Sequence, residues 1–363
     1  MAVGQQGDHQ ILYKLLLAYD DLAHFKGKNV HESALFLYAV VEFFNVYAFH
    51  FYWFFDFSYL RIVCAYYVCK KCARTGGRGN EKKFVYLQNM RYRVVMAYDG
   101  AEFCGWQIQP GAPSVQETLE KALETLLRAP VPVTGAGRTD TGVSASYYVA
   151  HFDFDGPVPR PLGRAETLDC AQLRYKLNAI LPKSVSVSAI EPAEPEFHAR
   201  FSARRRRYAY FLHRAKDPFV ERCSYFFGYP GVDFEAMNEA AQLLLGTHDF
   251  SCFEKSGGDN KTSVCTVYDA RWVPYEPVLH APLPAASPAL YWRFEIEADR
   301  FLRNMVRAVV GTLLEVGRGR RPLREFEALI LPPDVSEGVK VSRRSLAGES
   351  VPGHALFLTD IRY

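Results

Sequence analysis

Apolar and polar positions divide the chain from residue 90 onward into strands and helices in turn. Residues 91–100, RYRVVMAYDG, form an apolar-rich run closed by Asp99 and Gly100, which predicts a strand and a turn. CGWQIQPGAP (104–113) reads as a loop. In the next stretch Val115, Leu119, Ala122, Leu123 and Leu126 fall on one helical face, behind an S-x-x-E capping box of Ser114 and Glu117. VPVTGAG (131–137) predicts a short strand entering a loop, and SYYVAHFDF (146–154) a second strand. CAQLRYKLNAILP (170–182) is helical up to Pro182, and SVSVSAIEP (184–192) alternates as a strand does. FHARFSARRRRYAYFLHR (197–214) reads as one long strand or two. A helix follows with Asp233 as N-cap and Gly246 as its end. ALYWRFEIEA (289–298) is a strand. From Phe301 a strong helix carries Met305, Val309, Thr312, Leu313 and Val316 at helical spacing. Strands followed by helices, twice over, predict an α+β protein in which two similar lobes share a sheet.

The first ninety residues differ in kind. Residues 35–69, LFLYAVVEFFNVYAFHFYWFFDFSYLRIVCAYYVC, hold much of the Phe and Tyr excess and are long enough to span a bilayer. Glu42, Asn45, Asp56 and Arg61 interrupt them, and charge at membrane depth is costly. The run starts too late, and lacks the short apolar core, for a secretory signal. Residues 70–83, KKCARTGGRGNEKK, read as a basic, flexible linker. The expectation is that Met90 is the genuine start and residues 1–89 are upstream sequence; a membrane anchor is the alternative.

Composition adds bounds. The 363 residues suffice for two domains or lobes, expected at 90–192 and 193–363. A formal net charge of +3 does not by itself mark a nucleic-acid binder, so local clustering must decide. Among eight cysteines, Cys69 and Cys72 form a lone C-x-x-C with no second pair to complete a zinc site. Reduced thiols in a cytosolic protein are expected.

Three stretches carry candidate chemistry. In VTGAGRTDTGVSA (133–145), Arg138 and Asp140 sit on a Gly-rich bend that could be a turn and nothing more. Its D-T-G matches half of an aspartic protease, but that chemistry needs a second carboxylate, and the chain has no other such motif. In FSARRRRYAYFLHR, a strand would put Arg204, Arg206, Tyr208 and Tyr210 on one face and Arg205 and Arg207 on the other. Arginine with stacking tyrosine suits RNA; a solvated basic strand with core tyrosines is the alternative. In the helix from Phe301, Arg303 and Arg307 are one turn apart. Arg307, set among apolar residues, needs an acidic partner if buried, and an Asp on a distant loop could supply it. No phosphate-binding loop, nucleophile elbow or H-E-x-x-H appears, and His151, His198 and His248 stand isolated as structural histidines.

From about residue 90 to 363 the chain resembles the bacterial TruA-type tRNA pseudouridine synthases. Nine blocks carry the resemblance in order: YDG with GWQ, SVQETLEKAL, GAGRTDTGV, VAHF, LNAILP, FHARFSARRRRYAY, LLLGTHDFSCF, FLRNMVRAVVG and ALFLTDIRY. The resemblance implies the pseudouridine synthase fold, with a mixed, mainly antiparallel central sheet and a cleft between the lobes. It implies isomerisation of uridine to pseudouridine at positions 38, 39 or 40 of the tRNA anticodon stem-loop. It further implies a cytoplasmic homodimer that uses no metal or cofactor. Asp140 then matches the nucleophile, attacking sugar or base. Arg138 would displace the target base, Tyr208 would stack on it, and Arg307 would pair with the Asp. Arg204 to Arg207 and Arg303 are candidate RNA contacts. Ser144 stands where the family usually has His, and residues 1–89 have no counterpart there.

Overall fold

The computed structural model describes residues 90–160, 162–164, 167–257, 261–281, 289–330 and 343–363. The expectations for residues 1–89, including the aromatic run and the Cys69–Cys72 pair, lie outside these.

The elements in chain order are β1 (Met90–Tyr98), α1 (Val115–Leu127), β2 (Val133–Gly135), β3 (Ser144–Phe154), the hairpin β4 (Gly163–Arg164) and β5 (Thr167–Leu168), α2 (Cys170–Ile180), β6 (Val185–Ala193), β7 (Arg205–His213), β8 (Tyr225–Phe226), α3 (Phe234–Gln242), β9 (Gly246–Asp249), β10 (Val264–Pro274), β11 (Tyr291–Ala298), α4 (Met305–Gly317), α5 (Leu323–Glu327) and β12 (Leu356–Arg362). A ten-stranded sheet runs β6-β1-β3-β12-β7-β11-β10-β9, with β2 on β3 and β8 on β7. Among the described residues, only the β12–β3 and β7–β8 pairings within it are parallel. The sheet is therefore mixed and mainly antiparallel, as expected, and it does not close into a barrel. Strand β12 joins its halves, pairing in parallel with β3 and antiparallel with β7.

Helix starts follow their side-chain caps. Ser114 Oγ accepts from Glu117 N, Asp169 from Gln172 N, and Asp233 from Glu235 N and Ala236 N. Each such cap contributes about 1 kcal/mol. Helix α1 buries Val115, Leu119, Ala122, Leu123 and Leu127 and packs on α2; α3 packs on α4. Burial of each large apolar side chain contributes about 1.5–3 kcal/mol.

Three boundaries depart from the sequence pattern. Strand β7 begins only at Arg205, because residues 198–202 fold into a turn built on the His198 side chain. Helix α3 stops at Gln242 rather than at Gly246, whose positive φ of 102° opens strand β9. Helix α4 begins at Met305, not Phe301. Asn304 before it has φ 65°, in the left-handed region, and no helix continues backward through such a residue. Arg303 is thus not on the helix that carries Arg307.

Helix α4 is apolar nearly all round and is buried, with Arg307 and Glu315 its only half-exposed residues. A Cβ on Gly311 would lie 1.8 Å from Glu349 O. Glycine there lets segment 349–351 lie directly on the helix.

Candidate active site

The 136–143 loop leaves β2 as a Gly-rich bend, and almost every peptide in it is held. Ala136 N donates to Val149 O at 2.9 Å, and Ala136 O accepts from Arg206 Nη2 at 2.9 Å. Gly137 O accepts from Tyr148 Oη at 2.5 Å. Thr139 Oγ1 lies 3.0 Å from Tyr98 Oη, and Thr139 O accepts from Trp106 N at 3.3 Å. Asp140 O accepts from Val143 N at 3.1 Å, and Gly142 N donates to Phe103 O at 3.3 Å. Glycine is required nearby, since a Cβ on Gly105 would meet Thr139 O at 2.3 Å, and Gly105 itself has φ 94°. The loop is a rigid turn from which the partly buried Asp140 side chain lines the cleft. Rigid support of this kind is what positions a reacting group.

Arg307 comes to the same place from α4. Its Nη1 lies 3.5 Å from Asp140 Oδ2, and its Nε donates to Val351 O at 2.7 Å. Val351 N bonds back to Arg307 O at 3.2 Å, so segment 349–351, seated on Gly311, fixes the guanidinium. Both side chains are partly buried, at 22% and 30% exposure, which strengthens their attraction relative to open water.

Tyr208 projects from β7 into the same cleft and packs edge-on against Phe301, with ring centroids 5.1 Å apart. Burial pushes its phenol up to about 12; the Arg206 charge opposes this and Asp140 adds to it. The hydroxyl therefore stays protonated at neutral pH and has a proton to donate.

The cleft around these groups measures about 1080 Å³. Among the described residues seven arginines (Arg138, Arg200, Arg204, Arg206, Arg300, Arg303 and Arg307) and Lys261 line it, against two carboxylates, Asp140 and Asp299. Such an excess attracts an anionic ligand and focuses its approach. Arg138, Arg204 and Arg303 are exposed within it. Arg303 Nη1 also donates to Ser256 O at 3.1 Å.

The four consecutive arginines divide by strand alternation. Arg204 and Arg206 line the cleft. Arg205 and Arg207 lie on the other face, both on Glu297, at 3.1 and 2.7 Å. Glu297 is 3% exposed; burial raises its pKa, but the hydrogen bonds from Arg207 and Arg205 outweigh this and hold it below the usual range. Arg206 donates to three backbone carbonyls, those of Ala136, Arg200 and Asp299, so its guanidinium is already engaged by the protein. Ser144 is buried and accepts from Gly100 N at 2.9 Å, stitching β3 to the turn after β1 rather than facing the cleft.

Tyr98, Phe201 and Val351 gave no signal of a role in the sequence pattern. Tyr98 reads as one more apolar strand position, and Val351 meets Arg307 through its backbone N–H and carbonyl. Phe201 sits inside a stretch whose turn becomes visible only once the His198 side chain is seen to cap it.

A family model described as tRNA pseudouridine synthase matches residues 240–363. The tRNA pseudouridine synthase A of Parabacteroides distasonis is 45% identical over 274 residues, which cover 75% of this chain and 96% of the relative. The chain belongs to the tRNA pseudouridine synthase family. The enzyme of the same name from Bacteroides thetaiotaomicron is 44% identical over 273 residues, 75% of this chain and 90% of the relative. That from Bacillus subtilis is 36% identical over 278 residues, 76% and 99% respectively. The family resemblance expected from the nine sequence blocks is therefore correct. Among the described residues no helix is long and apolar enough to cross a membrane, and no group of three or more His, Cys, Asp or Glu could hold a metal ion.

Proposed function

We propose that this chain isomerises uridine to pseudouridine in the tRNA anticodon stem-loop, at one or more of positions 38, 39 and 40, with Asp140 as its nucleophile. The observation that carries this reading is the meeting of Asp140 and Arg307, 167 residues apart in sequence, at 3.5 Å in a strongly basic cleft. The lobe division at 90–192 and 193–363 belongs to the same reading, since Asp140 comes from the first and Tyr208 and Arg307 from the second.

A base inside a stacked stem is out of reach of any enzyme group, so the target nucleotide is extruded. Arg138, exposed at the mouth of the cleft, fills the gap it leaves. The uracil enters beside Tyr208, with the Tyr208 ring held upright by Phe301. The Asp140 carboxylate attacks, at sugar or base; the bond from N1 to C1′ breaks, the uracil turns, C5 joins C1′, and the bond to Asp140 breaks to return the free carboxylate. The C5 proton then leaves and N1 gains one, so the product is an isomer of the substrate. Arg307 holds the carboxylate in place as covalent catalysis requires. The scheme uses no metal or cofactor, and a cytoplasmic homodimer is part of the proposal.

Unmodified tRNA transcript incubated with the protein and mapped for pseudouridine tests this. The expected result is product at one or more of positions 38–40, lost in Asp140→Ala while tRNA binding persists. Product formation undiminished in Asp140→Ala refutes the role of Asp140. No product from the wild type, with tRNA still bound, favours a catalytically silent tRNA-binding member of the same fold.

A further inference from the structure

Phe201 is 75% exposed in a protein whose other aromatic rings near the site are packed away. It lies on the wall of the same cleft as Asp140. An exposed ring on a floppy loop would mean little, but this one stands on a rigid turn. Phe201 N and Arg200 N both donate to His198 Nδ1, at 3.3 and 3.2 Å. His198 N donates to Ser202 Oγ at 3.0 Å, and Ser202 N returns to His198 O at 2.9 Å. Ala199 is clamped from both sides: its N–H donates to His151 Nδ1 at 3.1 Å and its carbonyl accepts from Tyr363 Oη at 2.9 Å. Arg206 holds the Arg200 carbonyl at 2.8 Å. The His198 ring lies against the Phe201 ring, centroids 4.4 Å apart, and the Arg200 guanidinium is 5.5 Å from its centroid.

We propose that Phe201 is a stacking platform for an unpaired nucleobase of the RNA next to the extruded target, with Arg200 beside it for the adjoining phosphate. The inference rests on the proposed tRNA reading and adds a contact to it. A nucleobase is the ligand that matches the feature: it offers a flat π-face to the ring and an anionic linkage to the neighbouring arginines. An apolar protein partner would instead need a contiguous apolar patch, and the neighbours of Phe201 on the cleft wall are Arg200, Arg204 and Ala203. The rigid turn matters energetically, because a ring already in place loses little freedom when a base lands on it.

Two measurements on the wild type, Phe201→Ala, Phe201→Leu and Phe201→Trp test this. The first is steady-state pseudouridine formation on a tRNA transcript. Phe201→Ala and Phe201→Leu should raise KM by roughly tenfold or more with kcat retained, and Phe201→Trp should restore it. The second is the fluorescence of an anticodon stem-loop RNA carrying 2-aminopurine at each loop position in turn. One position should be quenched by the wild type and by Phe201→Trp, and not by the other two. Leucine serving as well as phenylalanine, or no position whose fluorescence depends on residue 201, overturns the proposal. A rise in KM that follows a change of oligomeric state on sedimentation also overturns it, assigning the ring to a contact between protein copies. A wild type that forms no pseudouridine defeats the enzyme reading alone, since the fluorescence still reports stacking.

Discussion

Arg206 Nη2 donates to Ala136 O at 2.9 Å, tying the middle of the sheet to the first residue of the Asp140 loop. The same guanidinium reaches the carbonyls of Arg200 and Asp299, at 2.8 and 3.0 Å. It thus joins the loop of Asp140, the turn of Phe201 and the segment leading to α4. Lysine can satisfy one such carbonyl well but not three in a fork. Arg206→Lys is expected to lower kcat by about 10²-fold, the usual cost of a small misplacement, and to leave the salt dependence of tRNA binding unchanged. Single-turnover kinetics with parallel binding titrations check this; a flattened salt slope would instead make Arg206 a phosphate contact.

The split of the four arginines leads to opposite outcomes for two double variants. Replacing the exposed cleft residues Arg204 and Arg303 by Gln should flatten the slope of log K against log salt, by roughly 0.7–0.9 for each phosphate no longer neutralised. Replacing Arg205 and Arg207 by Gln should leave that slope alone. It should cost up to about 3 kcal/mol of stability, because Glu297, at 3% exposure, loses both hydrogen-bonded arginines and keeps only Arg362, 3.7 Å away. Filter binding across a salt series and urea unfolding separate the two.

Gly311 does not line the cleft, yet it governs the site. A methyl group there would sit 1.8 Å from Glu349 O, so segment 349–351 must move away. That movement carries Val351 O from Arg307 Nε, now at 2.7 Å. Gly311→Ala is expected to destabilise the protein by about 1–3 kcal/mol. It should also lower kcat more than KM, as measured by thermal unfolding and steady-state kinetics.

Acid should loosen the turn that presents Phe201. His151 Nδ1 accepts from Ala199 N, and burial, helped by Arg91 and His198 and opposed by Asp153, lowers its pKa to about 4. The unfolded chain takes up this proton near pH 6.5 and the folded one only near 4. The stability contribution is complete above pH 6.5 and falls as pH drops toward 4, by up to about 1.4 kcal/mol per pH unit. His151→Asn keeps an acceptor for Ala199 N without titrating, so its melting temperature should fall less than the wild type's between pH 7 and pH 5.

Much of the sheet was legible because its strands carry local patterns. β1, β3, β6 and β11 announce themselves by apolar runs, and α1 by Ser114 and its spaced leucines. What escaped the pattern depends on partners distant in sequence. The late start of α4 rests on Asn304 at φ 65°, with its side chain bonded to Ser350 Oγ at 2.6 Å. The shortening of β7 rests on His198 and His151. At the site, an acidic partner for Arg307 was inferable from the cost of burying a lone charge, the family resemblance named Asp140 for it, and the two lie 3.5 Å apart. That Arg206 is spent on carbonyls was not readable, because a run of arginines looks the same whether its members face solvent, an acid or a peptide bond.

Strand β12 lies between β3 and β7 and, among the described residues, is the only strand bonded to both. The strands within residues 90–193 pair among themselves, as do those within 205–298. Neither half contains a complete site. Until residues 356–362 slot in between, nothing in the sheet sets the distance from Asp140 to Arg307. The proposed reaction centre thus exists only where the two half-sheets are joined, and a lesion that loosens β12 is expected to silence the protein before it unfolds it.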